Sequence, residues 1–97
     1  MSNTASDETH AYELRISQEF QEGLSWVHSP RVLAQIRNLL NLLPDYPNIG
    51  SPNVRECLTK LYGPNLRKLP VSTFVIIYRV GDGVVDLLAL VYAPRVR

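Results

Sequence analysis

The last third of the chain constrains the fold most. Phe74 to Val80 is dense in Val, Ile, Phe and Tyr, and Gly81-Asp82-Gly83 follows as a turn. Val84 to Tyr92 is then apolar almost without a break. β-Branched and aromatic residues suit a pleated surface, and a glycine turn between two such runs predicts a β-hairpin. The returning run holds Leu87, Leu88, Ala89, Leu90 and Val91 in succession. That pattern predicts a central strand covered on both faces, or one with a face hidden by a partner. Leu66 to Val71 supplies one more strand before the hairpin, and Pro94 ends the sheet region.

Upstream, the grammar is helical. Ser29 caps and Pro30 starts a helix, because the missing N–H of proline would be unpaired in the first turn anyway. Val32, Leu33, Ile36, Leu39, Leu40 and Leu43 form one apolar stripe, and Pro44 stops it. Phe20, Leu24 and Val27 place a shorter helix over 18–27, capped by Ser17, with Glu19 in its first turn. Only one or two residues separate the two, which predicts a helical hairpin. Tyr12, Leu14 and Ile16 alternate with Glu13 and Arg15, as in a half-buried strand. After the turn-rich stretch 45–52, the residues Val54, Cys57, Leu58 and Leu61 fit a third helix of about ten residues. Ser51 would cap it, Pro52 start it and Gly63-Pro64 stop it. The expected order is β-α-α-(α)-β-β-β, an α+β fold with the helical hairpin packed on a small, mostly antiparallel sheet.

At 97 residues, with 45% hydrophobic and 20% charged, the chain suits one core without disulfide or metal support. Residues 1–10 carry no apolar run and are expected to form a disordered tail, with a single domain over 11–97. The longest apolar run is far shorter than the ~20 residues of a membrane span, and no basic, apolar leader opens the chain. The single cysteine, Cys57, excludes an internal disulfide and reads as a buried thiol on the third helix. A reducing cytoplasm is the expected compartment.

Charge is unevenly placed. Residues 1–27 carry five acids and one base, while 28–97 carry nine bases and four acids. Arg67, Lys68, Arg79, Arg95 and Arg97 all fall in the last third. Such cations can clamp a phosphodiester and stabilise the charge developing as a ribose 2′-OH attacks in line. They can also meet an acidic protein, or only solvate the surface with their stems over apolar groups. Antiparallel pairing could bring Lys68 and Arg95 to one sheet edge. A pI of about 7.9 lacks the footprint of a dedicated nucleic-acid binder. His10 and His28 have no second ligand at metal spacing, so no metal and no cofactor are expected. No Gly-rich phosphate loop, His-Glu-x-x-His or local Ser-His-acid arrangement is present.

Leu66-Arg67-Lys68-Leu69, then Phe74-Val75-Ile76-Ile77-Tyr78-Arg79-Val80, Asp82-Gly83, a Val/Leu strand and Arg95 follow one another in order. With the loop Pro47-Asn48-Ile49-Gly50-Ser51-Pro52, this succession resembles the RelE/ParE superfamily of type II toxin–antitoxin toxins. The resemblance covers about residues 11–97. It implies a growth-inhibiting toxin held inactive by a cognate antitoxin, whose extended segment wraps it. One branch inhibits DNA gyrase. The other enters the ribosome and cuts mRNA without a metal. For a nuclease, the resemblance makes Lys68 and Arg95 the catalytic candidates, with Arg67, Arg79 and Arg97 binding target or phosphate. Val75 stands where nucleases often place an arginine, and Tyr92 precedes Arg95. The reading therefore leans to gyrase inhibition, with the endonuclease and a non-toxic protein-interaction module as alternatives.

Overall fold

A computed structural model describes residues 12–93 of the chain. The expected tail over 1–10, and Arg95 and Arg97, lie outside them. The elements run β1 (Glu13–Ile16), α1 (Gln18–Leu24), α2 (Pro30–Leu42), α3 (Glu56–Tyr62), β2 (Leu66–Val71), β3 (Phe74–Gly81) and β4 (Val84–Tyr92). This is the expected α+β order. The four strands make one sheet in the order β1-β4-β3-β2. The two hairpin pairings are antiparallel, and β1 joins β4 in parallel. The apolar β4 is thus central, with neighbours on both sides. No helix among the described residues is long and apolar enough to cross a membrane.

The hairpin turns follow their sequences. Gly81 pairs with Val84, leaving Asp82 and Gly83 as the loop, and Gly83 takes the left-handed φ of 72° that glycine adopts without a Cβ penalty. The outer strand β2 holds Pro70, which has no N–H to offer a further strand. Ser51 covers its edge by exchanging two backbone hydrogen bonds with Lys68, each of 2.9 Å. The other outer strand, β1, turns the N–H groups of Glu13 and Ser17 toward the β4 side. Strand alternation then directs the backbone groups of Leu14 and Ile16 outward, where none has a partner among the described residues.

A bulge at Leu88 sets which face each β4 side chain meets. Tyr78 pairs with Leu87 and Ile77 with Ala89, so Leu88 is the extra residue. Leu87 and Leu90 enter the core beneath α1 and α2, with Phe20, Ile36, Leu43, Phe74, Ile76, Tyr78 and Val85. Leu88 and Ala89 turn the other way and join Leu66, Val75 and Ile77. Val54, Leu58 and Tyr62, from the α3 segment, cover this second cluster.

Helix boundaries differ from expectation in two places. α1 ends at Leu24, not Val27. Beyond Gly23 the backbone tightens to i→i−3 bonds, from Trp26 N–H to Gly23 and from Val27 N–H to Leu24. Val27 still reaches the core, and residues 25–29, rather than one or two, connect the helices. α3 begins at Glu56, not Pro52, and has only seven residues. Ser51 does not cap it, because its backbone pairs with Lys68 and its hydroxyl accepts from Asn53 N–H. The later start turns Val54, Leu58 and Tyr62 inward. Cys57, expected to be buried, is exposed, and Leu61 is 70% exposed.

Candidate functional site

The five candidate cations have different fates. Arg67 pairs with Tyr78 across β2 and β3 and so belongs to the helix-covered face. Its guanidinium donates to the carbonyls of Asn48 (3.2 Å) and Gly50 (2.5 Å). Tyr78, fully buried, completes the same knot. Its hydroxyl donates to Pro47 O at 2.8 Å and accepts from Gly50 N–H at 2.9 Å. Burial raises the Tyr78 pKa, while the Gly50 bond and the Arg67 charge act against that rise. A Cβ on Gly50 would lie 2.7 Å from that hydroxyl and 2.8 Å from Lys68 O, so the close approach requires glycine. Arg67 therefore holds a loop, and both its contacts are backbone carbonyls.

Lys68 and Arg79 lie on the second face. Lys68 pairs with Ile77, and Arg79 pairs with Leu66 on one side and Asp86 on the other. Arg79 donates to Tyr62 O at 2.9 Å and approaches Asp86 at 3.4 Å. It fastens the end of α3 to the sheet. Lys68, half-buried as a residue, makes no side-chain hydrogen bond or ion pair among the described residues.

Two further groups on this face were not expected. Arg15 of β1 stands opposite Asp86 through the parallel pairing, so Arg79, Asp86 and Arg15 form a row of alternating charge across three strands. Its own ion pair is with Glu13, at 3.6 Å. The hydroxyl of Tyr62 donates to a Glu19 carboxylate oxygen at 2.6 Å, linking α3 to the start of α1. Desolvation, then the bond to Glu19 and its negative charge, push the Tyr62 pKa up to about 12. Neither contact has a local sequence signal, since each joins residues more than forty positions apart.

The second face thus presents an unengaged amine at its outer strand, a guanidinium tied at both ends, and an apolar centre under a short helix. That can bind an acidic or apolar protein surface. Of the candidate cations among the described residues, it holds one, Lys68, free for transition-state stabilisation.

The family model described as ParE toxin of type II toxin–antitoxin system, parDE, matches residues 12–95. No curated protein matches the chain by sequence. Among solved structures, the chain is similar to one from the toxin–antitoxin complex RelBE2 of Mycobacterium tuberculosis. The TM-score is 0.65 at 20% identity, over 87% of this chain and 93% of that one. It is also similar to a chain of the chromosomal ParDE toxin–antitoxin system of P. aeruginosa. There the TM-score is 0.63 at 16% identity, over 86% and 97%. At these identities the two likenesses carry the fold.

Proposed function

The chain belongs to the ParE toxin family of type II toxin–antitoxin systems, and from that membership we propose that it stops growth by inhibiting DNA gyrase, not by cutting RNA. The observation that carries this reading is the family match over residues 12–95. The geometry supports it in two ways. Arg67 and Arg79 are engaged with carbonyls of their own chain, leaving Lys68 as the unengaged candidate among the described residues. Val75, at the position where nucleases of the superfamily often carry an arginine, is buried in the second cluster. Lys68 is then a target contact at the rim of the second face. Arg95 and Arg97 would serve as further target contacts.

The same reading includes a cognate antitoxin, as in the RelBE2 toxin–antitoxin complex and the ParDE toxin–antitoxin system of the two similar structures. Its extended segment would add a strand beside β1, where the outward groups of Leu14 and Ile16 are open. The opposite edge is closed by Ser51 and Pro70.

The second reading, a ribosome-dependent mRNA endonuclease with Lys68 and Arg95 at the phosphodiester, makes the opposite prediction in one experiment. Induced expression in a bacterial host is followed by pulses of labelled thymidine and amino acids. Gyrase inhibition makes thymidine incorporation fall first. An earlier fall in amino-acid incorporation overturns it in favour of the nuclease. Lys68→Ala then grades the result, since a nuclease loses activity by orders of magnitude and a binder loses less.

A further inference from the structure

The stretch from Pro52 to Asn65 leaves and rejoins the sheet at one place. Ser51 is paired to Lys68 by two backbone bonds, and Leu66, buried, starts β2 just beyond the stretch. A segment of this size whose ends are close and independently fixed has the form of an Ω-loop, typically ~6–16 residues long. It can change position without loosening the strand that anchors it.

Within the stretch, α3 is weakly built. It has seven residues, buries none of them fully, and its first residue follows Arg55, which makes no side-chain cap bond. Isolated helices this short do not persist by propensity alone. Its outer side shows Cys57 and Leu61 to solvent. Three features hold it down: the partly buried Val54, Leu58 and Tyr62 on the second cluster, the bond from Arg79 to Tyr62 O, and the bond from Tyr62 to Glu19. At its C-terminal end lie two residues in the left-handed region, Gly63 at φ 95° and Asn65 at φ 64°, on either side of Pro64. A Cβ on Gly63 would meet nothing closer than the Arg79 guanidinium at 3.8 Å, so this corner is loosely packed. What lies beneath is a compact apolar strip, Leu66, Val75, Ile77 and Ala89, with Lys68 and Arg79 on the same face.

We propose that residues 52–65 are a flap, pivoting at Gly63–Asn65 and latched by the Tyr62–Glu19 hydrogen bond, that opens as a unit and uncovers the second face for the target. The latch joins the flap to the first turn of α1, so the helix-covered side sets how firmly the flap closes. Opening leaves the first core, the hairpins and the Ser51–Lys68 pairing in place. The role in target binding rests on the reading that Lys68 contacts the target. The flap itself does not.

Amide hydrogen exchange of the full chain under native conditions tests the flap. Lifted from the sheet, a helix of seven residues unwinds, so the amides of Leu58, Thr59 and Gly63, which bond to Arg55 and Thr59 carbonyls inside the flap, are expected to exchange at least about a hundredfold faster than those of Ile76 and Leu87. Tyr62→Phe removes the latch and little volume. It should speed flap exchange by roughly a further two- to fivefold, the weight of one charge-assisted hydrogen bond open to solvent, and leave Ile76 and Leu87 unchanged. Glu19→Gln should act in the same direction with a smaller effect. Flap amides that exchange together with the core amides overturn the proposal, as does a Tyr62→Phe effect spread over the whole sheet. Growth inhibition by Tyr62→Phe at matched expression reads the second half. A several-fold gain in potency supports uncovering of the target face. A faster flap with unchanged potency keeps the flap and overturns the assignment of the target to the second face.

Discussion

On one side of the sheet, two capped helices, a loop pinned by Arg67 and the strands together bury eleven residues, Phe20, Ile36 and Tyr78 among them. On the other, four buried residues lie beneath one uncapped helix of seven residues. The same strands serve both sides, so the difference comes from what covers them. α1 and α2 each begin at a serine whose hydroxyl accepts from the third helical N–H, at Phe20 and Val32. α1 also lies against β4 so closely that a Cβ on Gly23 would sit 2.7 Å from Leu90 O. α3 has neither device. The comparison teaches that one face carries the stability of the fold and the other is held ready by a few polar contacts.

Large-to-small changes test this asymmetry most severely. Phe20→Ala is expected to cost about 3–5 kcal/mol, read as a lowered urea midpoint with an unchanged slope. Tyr78→Phe should cost about 1–3 kcal/mol, because Gly50 N–H and Pro47 O lose their shared partner in a buried place. Leu58→Ala on the second face should cost about 1 kcal/mol or less, since its side chain is only partly buried, and the loss should show in flap exchange before global unfolding. A Leu58→Ala cost equal to that of Phe20→Ala would make the two faces equivalent.

The smallest effect is on pH. Tyr62 keeps its proton in the folded chain up to about 12, against 10.0 for a free tyrosine. A raised folded pKa favours the folded, protonated form. With Glu19 ionised, the latch is therefore at full strength from neutral pH up to 10 and is lost as pH rises from 10 to about 12. Absorbance titration of phenolate should show a component near pH 12 that Tyr62→Phe removes. Because Tyr62 is partly exposed, this change should move the flap more than the overall unfolding midpoint.

What the sequence showed of this arrangement was the local part. The hairpin from Phe74 to Tyr92 and the Ser29-Pro30 start of α2 were legible because each rests on contacts between near neighbours. The central place of β4 was legible from its apolarity on both faces. The Leu88 bulge was not, because one extra residue in a run of apolar residues leaves no mark on the pattern. Ser51 was read as a cap since its type suits one, but its pairing with Lys68 took priority. That shift moved α3 along the chain and turned Cys57 outward. Arg67 and Arg79 were visible as cations in strands. Their engagement with Gly50, Asn48 and Tyr62 depends on folding across seventeen residues or more, and no spacing announces it.

The place of β4 bears on the order of synthesis. Of the sheet's two inner strands, β4 is the last of the four along the chain, and β1 pairs only with it. A growing polypeptide therefore makes β1 and all three helices before the strand that α1 and β1 lie against exists. At roughly 5–20 residues per second, several seconds separate the making of Ile16 from that of Val84. During that interval the apolar sides of α1 and α2 have no complete sheet to cover, and anything that shelters them acts on a nascent chain before it acts on a finished toxin.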